Sequence, residues 1–180
     1  MPAKKISIPL LFGLIAMGIM TLVVLGTWQS GPEAFLGWPV WLGKSLVILL
    51  AALAAAAEKR VRGGILDFRS ALRVAFGVMV MGVIAANLLV WLIVNVIDPH
   101  FYQRLLPVIL RNADQSYRKF GAPDDQIREQ LEYMRTHNQF SLGSVIIGMG
   151  RDLLIFGIIA ILIAVTVKSK KGPTPKSGTQ

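Results

Sequence analysis

Lys44, Asn87 and Asp152 are polar side chains set inside long apolar runs on three separate segments, and Arg151 adjoins the last of them. An ammonium and a carboxylate in apolar surroundings can pair, relay a proton or hold an ion, and an amide beside them adds a donor and an acceptor. A charge at mid-bilayer costs about 2.5–3.5 kcal/mol on insertion scales, so each needs a partner or water. With Leu36, Ile97 and Gly143 as segment edges on one side and a rise of about 1.5 Å per residue, Lys44 lies about 12 Å deep, Asn87 about 15 Å and Asp152 about 13 Å. Similar depth leads us to expect a Lys44–Asp152 pair with Asn87 as its hydrogen-bonding neighbour. Arg151, turned about 100° from Asp152, must face another neighbour, a water-filled mouth or another subunit. The competing arrangement starts the segments at Ser45 and Leu153 and lets the charges snorkel to the headgroups. It leaves apolar stretches of only about 13 and 15 residues, short of a core about 30 Å thick.

Other chemistry is sparse. Asp98, His100 and His137 supply donor types that hold metals, but their spacing matches no compact ligand motif, and no metal or other cofactor is expected. Gly63-Gly64 lacks the Lys-Ser/Thr and the strand of a phosphate loop and reads as a turn. The chain has no cysteine, which removes disulfides, thiolate ligands and thiol nucleophiles. Met17, Met20, Met79 and Met81 read as packing filler. No acid–base or nucleophile constellation stands out, so an enzyme is not expected.

The elements that must position these residues are membrane spans. Of 180 residues, 54% are hydrophobic, and the mean hydropathy is +0.59, too apolar for an ordinary soluble domain. Four apolar stretches are long enough to cross a bilayer: Ile6–Gly26, Val40–Ala57, Ala71–Ile97 and Gly143–Val167. The first could be confused with a secretory signal, but it is long for one and lacks a small-x-small cleavage site, so a retained span is expected. Trp28, Trp38 and Trp41 resemble an interfacial aromatic belt. The expected divisions are 6–97 for three spans, 98–142 for a polar insertion, 143–168 for the fourth span and 169–180 for a disordered basic tail. Small residues suited to close helix approach recur at Ala51/Ala55, Gly82/Ala86, and Gly157, Ala160 and Ala164.

The sequence pI near 10.3 would suggest nucleic acid as a partner in a soluble protein. Here the charge has a place that argues against nucleic acid. Four spans put Lys4, Lys5, Lys59, Arg60, Arg62, Arg69, Arg73, Lys168, Lys170, Lys171 and Lys176 on one side. Set against Glu58 and Asp67, they account for the whole formal charge of +9. That side is expected to be cytoplasmic, with both termini on it. The same basic face suits anionic lipid headgroups.

The insertion 98–142 is charge-balanced and helical in pattern. Tyr102, Leu106, Ile109, Ala113, Tyr117 and Phe120 share one face at intervals of three and four. Pro99 suits a first turn, Pro107 should kink or split the helix, and Gly121 suits a left-handed terminator. Asp124 and Asp125 then open a second helix striped by Ile127, Leu131 and Met134, with Asp124/Arg128 and Arg128/Glu132 as i,i+4 pairs. The result is an amphipathic helical hairpin, expected outside the membrane, whose apolar face needs its own arms, lipid or a partner to cover it.

Arg62-Gly-Gly-Ile-Leu-Asp-Phe68, Asp98-Pro-His-Phe and Gly121-Ala-Pro-Asp-Asp-Gln-Ile127 resemble a family of small bacterial membrane proteins, common in Bacteroidetes, known as domain of unknown function 4199. The resemblance covers roughly Lys5–Lys171 and implies four helical spans with a charged helical insertion before the last. It brings no activity and no residue roles. Pro123 stands where relatives tend to carry a Ser-type cap, and Arg151-Asp152 interrupts a span that is usually apolar.

The expected fold is therefore an all-α membrane protein with four transmembrane helices and a hairpin between the third and fourth. It is expected in the bacterial inner membrane, with 98–142 periplasmic. Its expected role is that of a non-catalytic accessory or scaffold subunit docking a membrane-protein partner or a second copy through Tyr102, Leu106, Ile109, Tyr117, Phe120, Ile127, Leu131 and Met134. The alternative is a small oligomeric transport protein using Lys44, Asn87, Arg151 and Asp152.

Overall fold

The computed structural model describes residues 7–169. Seven α-helices follow one another: α1 (Ile8–Ser30), α2 (Pro32–Phe35), α3 (Trp38–Val61), α4 (Phe68–Leu92), α5 (Pro99–Lys119), α6 (Asp124–Thr136) and α7 (Leu142–Val167). A π-helical turn, Ile93–Ile97, continues α4. With that turn, α1, α3, α4 and α7 are long and apolar enough to cross a membrane. The disordered tail expected over 169–180 lies outside the described residues beyond Ser169, as do Lys4, Lys5, Lys170, Lys171 and Lys176.

The central element is α4, packed against α1, α3 and α7, while α1 and α7 do not meet. Small residues permit this. A side chain at Gly13 would run into the Met81 sulfur, and a Cβ on Gly82 would sit 3.3 Å from Val47. Ala51, Ala54, Ala55, Ala75 and Val78 are fully buried where α3 and α4 approach, toward the end of the bundle that carries residues 62–67. We call that the loop end. The opposite end, which carries α2, α5 and α6, is the arm end.

Several boundaries differ from the hydropathy reading. The first helix runs on to Ser30 because Thr27 and Ser30 hydroxyls donate back to helix carbonyls at 2.8 Å, hiding the polarity that seemed to end it. The loop expected over Glu58–Ser70 shrinks, since α3 reaches Val61 and Asp67 caps α4 by accepting from the Ser70 N–H at 3.0 Å. Hydrogen bonds from Ser70 hold the Asp67 carboxyl below its ordinary range. Helix α5 is not split at Pro107. Gln103 and Pro107 are both exposed, so the carbonyl left without its donor lies where water reaches it. Gly121 does adopt positive φ, +73°.

Few of its own residues bury α7, and hydrogen bonds hold both its ends. At the loop end the Ser169 hydroxyl donates to the Gly64 carbonyl at 2.8 Å and accepts from the Leu66 N–H at 3.0 Å. Lys59 Nζ donates to the Val167 carbonyl at 2.8 Å, supplying a cation to the C-terminus of α7. Leu66 is buried against Ala71 and Ala164. At the arm end Asn95, on the π turn, donates to the Phe140 carbonyl at 3.0 Å.

The two arm helices fold back on each other. The Tyr102 hydroxyl, at the start of α5, donates to the His137 carbonyl, just past α6, at 3.2 Å. The i,i+4 pairs expected at Asp124/Arg128 and Arg128/Glu132 are not among the ion pairs of the described residues. Arg118 instead reaches Asp114 at 3.0 Å and, across the Gly121 turn, Asp124 at 3.1 Å. Long exposed side chains choose among several such partners at little energetic difference, so helical spacing alone does not select one. Asp114 beside it raises the Arg118 pKa further above its ordinary value.

Candidate functional site: a polar cavity beneath the arm

Lys44 projects from α3 and Asp152 from α7, and Lys44 Nζ lies 3.0 Å from Asp152 Oδ2. Their side chains are 26% and 14% exposed, so the pair is half sheltered rather than dry. Lys44 Nζ also stands 5.5 Å from the ring centroid of Trp41, close enough for a cation–π contact.

The pair lines a cavity of about 290 Å³, and Asn87 and Arg151 line the same cavity. Thus the three polar residues singled out by depth converge on one space, and Arg151, expected to face another neighbour, a water-filled mouth or another subunit, lines it as well. Asn87 donates an amide hydrogen to the Val83 carbonyl of its own helix at 2.9 Å. Arg151 is exposed and makes no ion pair among the described residues. Thr27, 5% exposed, is a further polar lining residue that hydropathy had put in a connection. Its hydroxyl is committed to the Val23 and Val24 carbonyls at 2.8 and 3.1 Å.

Phe35, Leu36 and Phe140 line the cavity toward the arm, and Val47 and Gly82 line it toward the loop end. Phe35, from α2, holds the roof in place through an edge-on contact with Phe101 of α5 at 5.1 Å between centroids. Arg111 of α5 grips both Glu33 oxygens at 2.8 and 2.7 Å, and the Tyr102 and Phe140 rings meet edge-on at 6.2 Å.

The face of the arm that carries the expected docking residues is largely used within the fold. Ile127 is buried, and Tyr102, Leu106, Ile109, Tyr117, Leu131 and Met134 are half-buried. Phe120 alone of that set is exposed, at 87%. The residues that seat α5 most deeply are Phe101, Leu105 and Val108, one position away from that stripe.

The histidines do not build a centre. Among the described residues no three of His, Asp and Glu come together in a way that could hold a metal. The His137 ring stacks on Tyr133 at 4.0 Å. Asp98 pairs with Arg104.

The sequence profile of the family described as protein of unknown function (DUF4199) matches residues 10–169. The chain belongs to that family. The match takes in all four long apolar helices and the arm, in agreement with the resemblance carried by the Arg62–Phe68, Asp98–Phe101 and Gly121–Ile127 segments. Comparison of this DUF4199 chain with curated proteins and with solved structures yields no match.

Proposed function

We propose that the chain is a non-catalytic accessory protein of a larger membrane assembly, held in a bacterial inner membrane by four spans, with the arm facing the periplasm. The observation that carries this reading is the way α5 and α6 are fixed. The arm is braced to the bundle by the Phe35–Phe101 contact, the Glu33–Arg111 pair and the Tyr102–Phe140 contact, yet it leaves Phe120 87% exposed. An exposed aromatic side chain on a braced arm suits docking to a protein partner, because aromatic residues, Phe among them, are enriched in the cores of protein interfaces. The orientation rests on the exposed Arg60, Arg62, Arg69, Arg73 and Lys168 at the loop end, where anionic headgroups are the natural counter-charge.

A second reading, transport of an ion or small solute, is favoured by the convergence of Lys44, Asn87, Arg151 and Asp152 on one cavity. The close packing of Ala51, Ala54, Ala55, Ala75 and Val78 toward the loop end weighs against a path through one copy. Co-purification separates the two readings. On the accessory reading the tagged chain extracts with a partner, and Phe120→Asp, at a side chain 87% exposed, releases it. Extraction as a lone chain together with ion flux in reconstituted vesicles, lost in Asp152→Asn, would reverse the order of the readings.

A further inference from the structure

The cavity beneath the arm holds three charged groups, and their balance selects a ligand. Lys44 and Asp152 neutralise each other at 3.0 Å. Arg151 contributes a second cation to the same lining and makes no ion pair among the described residues. The lining therefore carries one uncompensated positive charge, on a guanidinium whose donors are arranged to take a carboxylate or phosphate in two-point contact. A cationic ligand finds no free anion there, since the only carboxylate of the lining is already paired.

The rest of the lining decides the remainder of the ligand. Met20, Val24, Val47, Val83 and Phe156 are apolar walls. The Thr27 hydroxyl and one Asn87 amide hydrogen are spent on main-chain carbonyls. Few polar atoms remain for a sugar or a zwitterion, whereas a hydrocarbon segment matches the walls. At about 290 Å³ the space lies near the lower end of small-ligand pockets. It suits one short chain and is tight for a two-chain lipid buried whole.

We propose that this cavity binds a monoanion bearing a single apolar chain, with Arg151 taking the carboxylate or phosphate and the chain lying over Val47 and Val83. Such a ligand comes either from the bilayer, as a single-chain anionic lipid, or from the aqueous side, as a medium-chain carboxylate. The site stands apart from the accessory reading, because it does not involve Phe120 or any partner.

The test is calorimetric titration of decanoate, decanol and decyltrimethylammonium into the purified full chain in a neutral detergent. Decanoate should bind one per chain and saturate, with the other two at least about tenfold weaker, the difference one charge-assisted hydrogen-bonded pair supplies. Arg151→Gln should lose that preference and Arg151→Lys should keep part of it. Arg151 is exposed and makes no ion pair among the described residues, so neither change breaks one. Val40→Phe, which adds bulk at a half-buried position of the lining, should weaken binding severalfold with Arg151 intact. Mass spectrometry of the extracted protein tells the sources apart. An anionic single-chain lipid present in the native chain and lost in Arg151→Gln assigns the bilayer. An empty site that takes decanoate assigns the aqueous side. Equal binding of the three decyl probes, or decanoate binding unchanged in Arg151→Gln, overturns the proposal.

Discussion

Lys44 and Asp152 stand 108 residues apart in sequence and meet at 3.0 Å. Breaking such a pair leaves the surviving charge without its counterpart in apolar surroundings, which costs more than the pair itself contributes. Asp152→Asn should destabilise the purified protein by about 1–3 kcal/mol, the upper part of the range being tempered by the partial exposure of both groups. The double change Lys44→Met with Asp152→Leu should recover most of that loss. Thermal unfolding in detergent measures both, and a double variant as unstable as Asp152→Asn would contradict the argument. Depth counted along three spans was enough to single out Lys44, Asn87 and Asp152, because helical rise is nearly constant and lipid rejects charge. That Arg151 would open onto the same cavity could not be counted out in this way. Its direction depends on how far α7 is turned, which the packing of α4 decides.

Between residues and bundle lie α2 and the arm, where the sequence was least legible. Along α5 two apolar stripes run side by side, Tyr102–Leu106–Ile109 and Phe101–Leu105–Val108, and periodicity cannot say which one meets the bundle. Phe35 settles it: the four-residue α2 places that ring against Phe101, and Phe101, Leu105 and Val108 are buried as a result. No hydropathy window resolves so short a helix. The π turn at Ile93–Ile97 was equally hidden. It brings Asn95 to the Phe140 carbonyl, and π turns often lie beside functional sites. Phe101→Ala should empty this contact at a local cost of about 3 kcal/mol. Limited proteolysis should then cut between Lys119 and Asp124 far faster than in the native chain, with the four long helices left intact. A native-like digestion pattern would show that the arm is held by other means.

For the molecule as a whole, the four apolar helices were plain in the sequence, since each is a run of residues that water excludes and lipid accepts. Their order of packing was not, because every pair of apolar helices looks equally compatible until Gly13, Gly43 and Gly82 fix the close approaches. Hydrogen bonds at both ends of α7, from Ser169 and Lys59 at one and Asn95 at the other, explain how a helix with so few buried residues keeps its place. The shared depth of Lys44, Asn87 and Asp152 and the sidedness of the arm both require that these helices cross a bilayer with the arm on one side and residues 62–67 on the other. The chain has no cysteine of its own, so single cysteines at Gln126 on α6 and at the exposed Ile65 in the opposite loop report on the two sides directly. A membrane-impermeant maleimide added to spheroplasts should label Gln126→Cys at once and Ile65→Cys only after the membrane is breached. Labelling of both positions from the same side of an intact membrane would contradict it.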